Sequence, residues 1–157
     1  MIFDNDSISQ AAFFSVIRGK MAFCQYITWP DLFSLPKYPD ELIISDVAWP
    51  LIFAERAALH KHLEHDVHIL WQGKTVREHK FVWRGGKVHH CFLTKFSGIT
   101  AMCNDDLIGS LFVLVKTDNH AYQGWILTTD DEIDDFLLMF NMSPADTICL
   151  LRTVFHL

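Results

Sequence analysis

No stretch of this 157-residue chain stays apolar over the roughly 18 to 20 residues that a membrane-spanning helix needs, so no membrane association is expected. The opening MIFDNDSISQ lacks a basic segment followed by an apolar core, which argues against a secretory leader and makes the cytoplasm the expected location. Cysteine is scarce. Cys24, Cys91, Cys103 and Cys149 lie far apart with no C-x-x-C pair, so they read as small buried apolar residues rather than a disulfide frame or zinc site. No G-x-x-x-x-G-K-[ST], G-x-G-x-x-G or G-x-S-x-G motif occurs, which removes the usual signatures of phosphate cradling and serine hydrolysis. Internal repeats and low-complexity tracts are also missing.

What the chain does have is apolar mass and an uneven charge distribution. Half of the residues are hydrophobic and 13% are aromatic, enough for one domain over residues 1–157 with a substantial core. The net charge is −6, yet Gly73–Lys95 holds six bases (Lys74, Arg77, Lys80, Arg84, Lys87, Lys95) against one acid, Glu78. The rest of the chain keeps seven bases and eighteen acids. A total of −6 argues against a protein coated in nucleic acid, whereas a local excess of cations is the footprint of a confined contact.

Apolar periodicity gives seven or eight short strands, mostly antiparallel and barrel-like, with one early and two late helices. AAFFSVI and MAFCQYI read as two strands joined by the turn Arg18-Gly19-Lys20. Pro50 opens a helix through LIFAERAALHKHLEH. DVHILWQ, TVREHKFVW and KVHHCFLTKF follow as strands, the last two joined at Gly85-Gly86, and SLFVLVKTD pairs with YQGWILT. Thr129-Asp130-Asp131-Glu132 is a capping box, and Ser143-Pro144-Ala145-Asp146 starts a second late helix that runs apolar to the C-terminus. With no stop signal after TICLLRTVFHL, the chain reads as the front part of a longer polypeptide, the alternative being a last helix docked on the core.

Three patterns could carry chemistry. Pro39 and Asp40, followed much later by Glu78 and Lys80, resemble the P-D…E-x-K signature of magnesium nucleases, which would make the chain a compact nuclease. His60, Glu64 and His68 would share a helix face as metal ligands if the helix continued; otherwise HKHLEHDVH is a solvated helix end. The third is the basic segment. Alternation along a strand puts Arg77, His79 and Phe81 on one side and Glu78, Lys80 and Val82 on the other. Lysine and arginine neutralise phosphates without regard to sequence, but a glutamate among them repels phosphate. Its carboxylate makes sense if it accepts from cytosine N4 beside a cation that donates to guanine. The plain alternative is an ordinary charged hairpin.

ILWQGKTVREHKFVWRGGK, CNDDLIGSLFVLVK, YQGWILTTDDEIDDFL and MSPADT together resemble the N-terminal effector domain of EcoRII-like type II restriction endonucleases. The resemblance runs from about Phe13 to Thr147. It implies a DNA-binding pseudobarrel, like the B-three domains of plant transcription factors, that grips duplex DNA in the major groove between an N-arm and a C-arm. It implies no cofactor for this domain. Cleavage would belong to a separate C-terminal nuclease domain using Mg2+, and the parent enzyme could form a homodimer.

By position the C-arm is Gly73–Lys87 and the N-arm is the turn Arg18-Gly19-Lys20, with Gln25 nearby. Against the family's threonine, arginine, asparagine, glutamate, any residue, arginine, this chain has Thr75, Val76, Arg77, Glu78, His79, Lys80. Thr75 and Glu78 match and Lys80 keeps the charge, while Val76 and Arg77 depart, which puts the base sequence read in question. The resemblance thus assigns Glu78, His79 and Lys80 to base edges, and Arg18, Lys20, Lys74, Arg77 and Arg84 to phosphates or guanine. Trp83 and Phe81 would anchor the arm to the barrel. A third function class, a protein-interaction module docking through the apolar terminal helix, has no such motif behind it.

Overall fold

A computed structural model describes residues 7–33, 40–53, 62–84, 90–96, 105–143 and 148–152. The first element corrects the sequence reading. AAFFSVI belongs to helix α1 (Ile8–Arg18), not to a strand, because Ser7 caps it and Ala12, Ser15 and Val16 recur on one buried face. Arg18-Gly19-Lys20 therefore joins a helix to strand β1 (Met21–Tyr26) rather than joining two strands. A Cβ at Gly19 would overlap the Val115 side chain, so this crossing needs glycine.

A short helix α2 (Trp29–Phe33) precedes strand β2 (Leu42–Ile44), and a 3-10 turn at Asp46–Ala48 leads into helix α3 (Trp49–Ile52). The helix expected from Pro50 to His65 does not extend that far: His62–Trp71 is strand β3, and residues 54–61 lie outside the described residues. Here ten residues of cross-strand pairing with β4 (Thr75–Arg84) prevail over local helix signals. The β3–β4 turn is tight, with Gln72 at φ 55° and Gly73 at φ 70°, and the Lys74 amide donates to the Trp71 carbonyl at 2.9 Å.

Strands β5 (His90–Leu93), β6 (Leu111–Lys116) and β7 (Ala121–Leu127) follow, with helix α4 (Asp130–Met139) behind them. Thr129 accepts from the Glu132 amide, the first half of the expected capping box. The last described element is strand β8 (Ile148–Arg152), where a helix was expected; it pairs antiparallel along β1. The remainder of that expected helix, like the Gly85-Gly86 turn, falls outside the described residues.

All eight strands form one sheet in the order β2-β5-β4-β3-β7-β6-β1-β8, antiparallel except where β3 meets β7. Seven of them, β2 through β1 in that order, curl into a nearly closed barrel with helices at its flank. Gln25 bridges the seam. Its Nε2 donates to the Ile43 carbonyl at 2.9 Å and its Oε1 accepts from the Ser45 amide at 2.8 Å, so a carboxamide on β1 replaces a peptide against β2.

The core has two layers, which explains the unbroken apolar run of β6. Phe112 and Leu114 face the barrel interior with Phe23, Trp71, Phe81, Phe96 and Tyr122. Leu111, Val113 and Val115 face the other way, with Trp125, beneath α1 and α4. Each such side chain taken from water contributes about 1.5–3 kcal/mol, so a strand buried on both faces has no polar position to spare. Cys24 and Cys91 are buried free thiols within these layers.

Candidate functional site

Strand β4 separates the predicted site residues by face. Glu78 and Lys80 point outward and are exposed, while His79, Phe81 and Trp83 are buried. Phe81 and Trp83, which the resemblance gave an anchoring role, are part of the barrel core. His79 is 4% exposed and both its ring nitrogens are occupied. Trp71 Nε1 donates to His79 Nε2 at 2.9 Å, which leaves the ring proton on Nδ1, facing the Thr94 carbonyl at 2.7 Å. Burial holds the His79 pKa below its ordinary value, and the nearby Arg77 and Lys95 charges push the same way. This is a neutral, clamped imidazole with no nitrogen turned outward. Gln25 is likewise buried and committed to the barrel seam.

Outward of β4 lies a concavity of about 390 Å³ between β3, β4, β5 and the start of β2. Its lining carries five carboxylates (Asp40, Glu41, Glu64, Asp66, Glu78) against Lys80, Arg84 and Lys95. Sequence reasoning missed Glu41 and Asp66, considered Glu64 only on a helix face, and counted Lys95 among the bases without giving it a site role. The signal for Glu64 and Asp66 was the alternation of HLEHDVH, visible once His62–Trp71 is paired against Thr75–Arg84.

The cations here are held differently. Arg84 makes a forked pair, Nη1 to Glu41 Oε1 and Nη2 to Glu41 Oε2, both 2.8 Å, and its guanidinium lies 4.5 Å from the Phe92 ring centre. Lys80 Nζ reaches Glu64 Oε1 at 3.4 Å and Asp66 Oδ1 at 3.8 Å, a loose and solvated arrangement. His62 Nε2 stands 3.5 Å from Glu64 Oε2. His62 first, then Lys80, hold the Glu64 carboxyl below its usual range. Among the described residues no carboxylate is within ion-pair distance of Lys74, Arg77 or Lys95.

The remaining predicted residues gather at the other end of the hairpin. Thr75, Val76 and Arg77 are exposed beyond the turn. Arg18, stacked 5.7 Å from the Phe14 ring centre, lines a second concavity of about 310 Å³ with Gly73, Leu70 and Trp125. Arg18 and the hairpin turn thus share one concave surface. Lys20 is exposed, and its amide donates to the Lys116 carbonyl at 2.8 Å. The segment that does join the first two strands runs over residues 27–41, part of which lies outside the described residues.

Asp40, Glu78 and Lys80 line one concavity, as the nuclease pattern required. Even so, among the described residues no three His, Cys, Asp or Glu side chains are placed to hold a metal ion. The helical His60–Glu64–His68 face does not arise either, since His62–Trp71 is a strand and His60 lies outside the described residues. Nor is any described helix long and apolar enough to cross a membrane.

No protein-family model and no curated protein matches the chain. Among solved structures it is similar to the B3 domain of the UbaLAI restriction endonuclease, a protein crystallised with cognate DNA. The match has a TM-score of 0.53 and 14% identity, over 94% of this chain and 100% of that one. The fold is B3-like. At that identity the two chains share an architecture, and the side chains must be argued from this one.

Proposed function

We propose that this chain is a sequence-specific duplex-DNA-binding domain, the recognition or effector part of a type II restriction endonuclease. The observation that carries the reading is the outward face of β4, where Glu78 and Lys80 stand exposed on a B3-like barrel. An acceptor and a cationic donor two residues apart, about 7 Å along a strand, suit adjacent base edges in a major groove. Arg77, Lys74 and Lys95, with no described acid beside them, supply phosphate contacts, and the exposed Thr75, Arg18 and Lys20 add to them. His79, Gln25 and Arg84 serve as framework: the first two are buried, and the third is bound to Glu41. In the parent enzyme a separate nuclease domain would use Mg2+, and the intact protein could act as a homodimer.

A binding selection from randomised duplexes, repeated with methylated cytosine, tests this directly. One enriched sequence is expected, bound in EDTA and left uncut in magnesium. Glu78→Ala should reduce the preference for that duplex by about 1–3 kcal/mol, while Lys74→Ala should weaken all duplexes alike and flatten the salt slope by about 0.9. Identical behaviour of the two variants would refute the division between reading and holding, and enrichment of no sequence would refute specific recognition.

A further inference from the structure

The acids around Lys80 are the least expected part of a surface read as binding DNA. Glu64 and Asp66 come from β3, and the β3–β4 register sets Asp66 directly opposite Lys80. Their carboxylates bracket its ammonium at 3.4 and 3.8 Å, yet the three side chains are 47%, 80% and 49% exposed for Glu64, Asp66 and Lys80. Such solvated pairs contribute little to folding. What they do alter is the field at Lys80. A phosphate approaching the ammonium must also approach both carboxylates, and Glu78 and Asp40 line the same concavity. A base edge meets a different situation. The exocyclic amino groups of cytosine and adenine are donors that a carboxylate can accept, and guanine offers Lys80 the acceptors it needs.

From this arrangement we infer that Glu64 and Asp66 are specificity-determining residues, which withhold Lys80 from phosphate and leave it available to base edges. The inference rests on the duplex-binding reading and deepens it: the concave floor repels the backbone, and phosphates are held by Lys95 on its lining and, outside the concavity, by Lys74 and Arg77 toward the hairpin turn. Sequence-independent binding is thereby kept weak by design of the floor rather than by a shortage of cations. Because both acids are exposed, replacing them should leave the barrel intact, which thermal melting would verify.

The test compares the unsubstituted chain with the double variant Glu64→Gln/Asp66→Asn on two probes, a randomised duplex pool and the duplex enriched from it. The variant should bind the pool about three- to tenfold more tightly, with a salt slope steeper by about 0.9, as one added phosphate contact requires. Affinity for the enriched duplex should change less, so the ratio between the two narrows. Adding Lys80→Ala should abolish the gain on the pool, since the released lysine is what makes the new contact. Unchanged pool affinity would overturn the inference, as would a gain equally large without Lys80, which would mark a general effect of net charge. If the unsubstituted chain binds neither probe at low salt, the duplex reading itself fails, a result read before any variant is compared.

Discussion

Arg84 and Lys80 lie four residues apart on the same face of one strand, inside the same basic segment, and the fold treats them in opposite ways. Arg84 is forked onto Glu41, whose side chain is 2% exposed, and stacked on Phe92. Lys80 hangs in solvent between two exposed acids, at distances too long for strong bonds. The difference follows from side-chain chemistry as well as position. A planar guanidinium can satisfy both oxygens of a buried carboxylate and still present a flat face to a ring, which a lysine ammonium cannot do. A run of cations in a sequence is therefore not one patch. Its members divide into those that hold the protein together and those left exposed to solvent, and the acids brought up by neighbouring strands decide which is which.

The largest effect should come from breaking the Arg84 pair. Glu41→Ala leaves a partly buried guanidinium without its carboxylate and should cost about 3 kcal/mol of stability. Lys80→Ala should stay within about 0.5 kcal/mol, since it removes only solvated contacts. Urea denaturation of both variants measures the contrast directly, and equal costs would erase it. A smaller effect sharpens the same point. Arg84→Lys keeps the charge but loses the fork and the stacking, and should cost about 1–2 kcal/mol, whereas Lys80→Arg should be nearly neutral. If Arg84→Lys melts like the unsubstituted chain, the bidentate geometry contributes nothing and Arg84 returns to the candidates for DNA contact.

How much of this was legible in the sequence depends on the range of the signal. Strands β4, β6 and β7 follow from alternation or from continuous apolar runs, and α4 follows from Thr129 and its spaced Ile133, Phe136 and Leu137. The outward pair Glu78 and Lys80 was readable for the same reason. Where local preference was ambiguous, the reading failed. AAFFSVI suits a strand by composition, and only the Ser7 cap and the four-residue recurrence of Ala12 and Val16 decide for a helix. HKHLEH follows a proline-opened helical pattern, and its strand state comes from pairing across the hairpin. Glu41 lies 43 residues from Arg84, and Glu64 lies 16 residues from Lys80. Those partners are products of sheet register, which no local window contains. The buried state of His79 was half visible: alternation put it beside Phe81, on the side that proved to be the interior.

His79 carries an effect that depends on pH, and it separates framework from contact on that same strand. Its folded pKa lies below the ordinary 6.5, chiefly because burial disfavours the imidazolium. Above 6.5 the imidazole is neutral in both the folded and the unfolded chain, so it adds no pH dependence there. As pH falls below that value the unfolded chain takes up a proton that the folded one refuses. Stability is therefore lost on acidification through this window, by at most about 1.4 kcal/mol per pH unit, until the folded pKa is reached. His79→Gln can still accept from Trp71 and donate to the Thr94 carbonyl but cannot titrate. Its melting temperature should fall less steeply between the ordinary histidine range and mildly acid pH than that of the unsubstituted chain. Parallel curves would mean that the ring escapes its clamp and protonates freely, and a histidine able to do that could also turn outward toward a base.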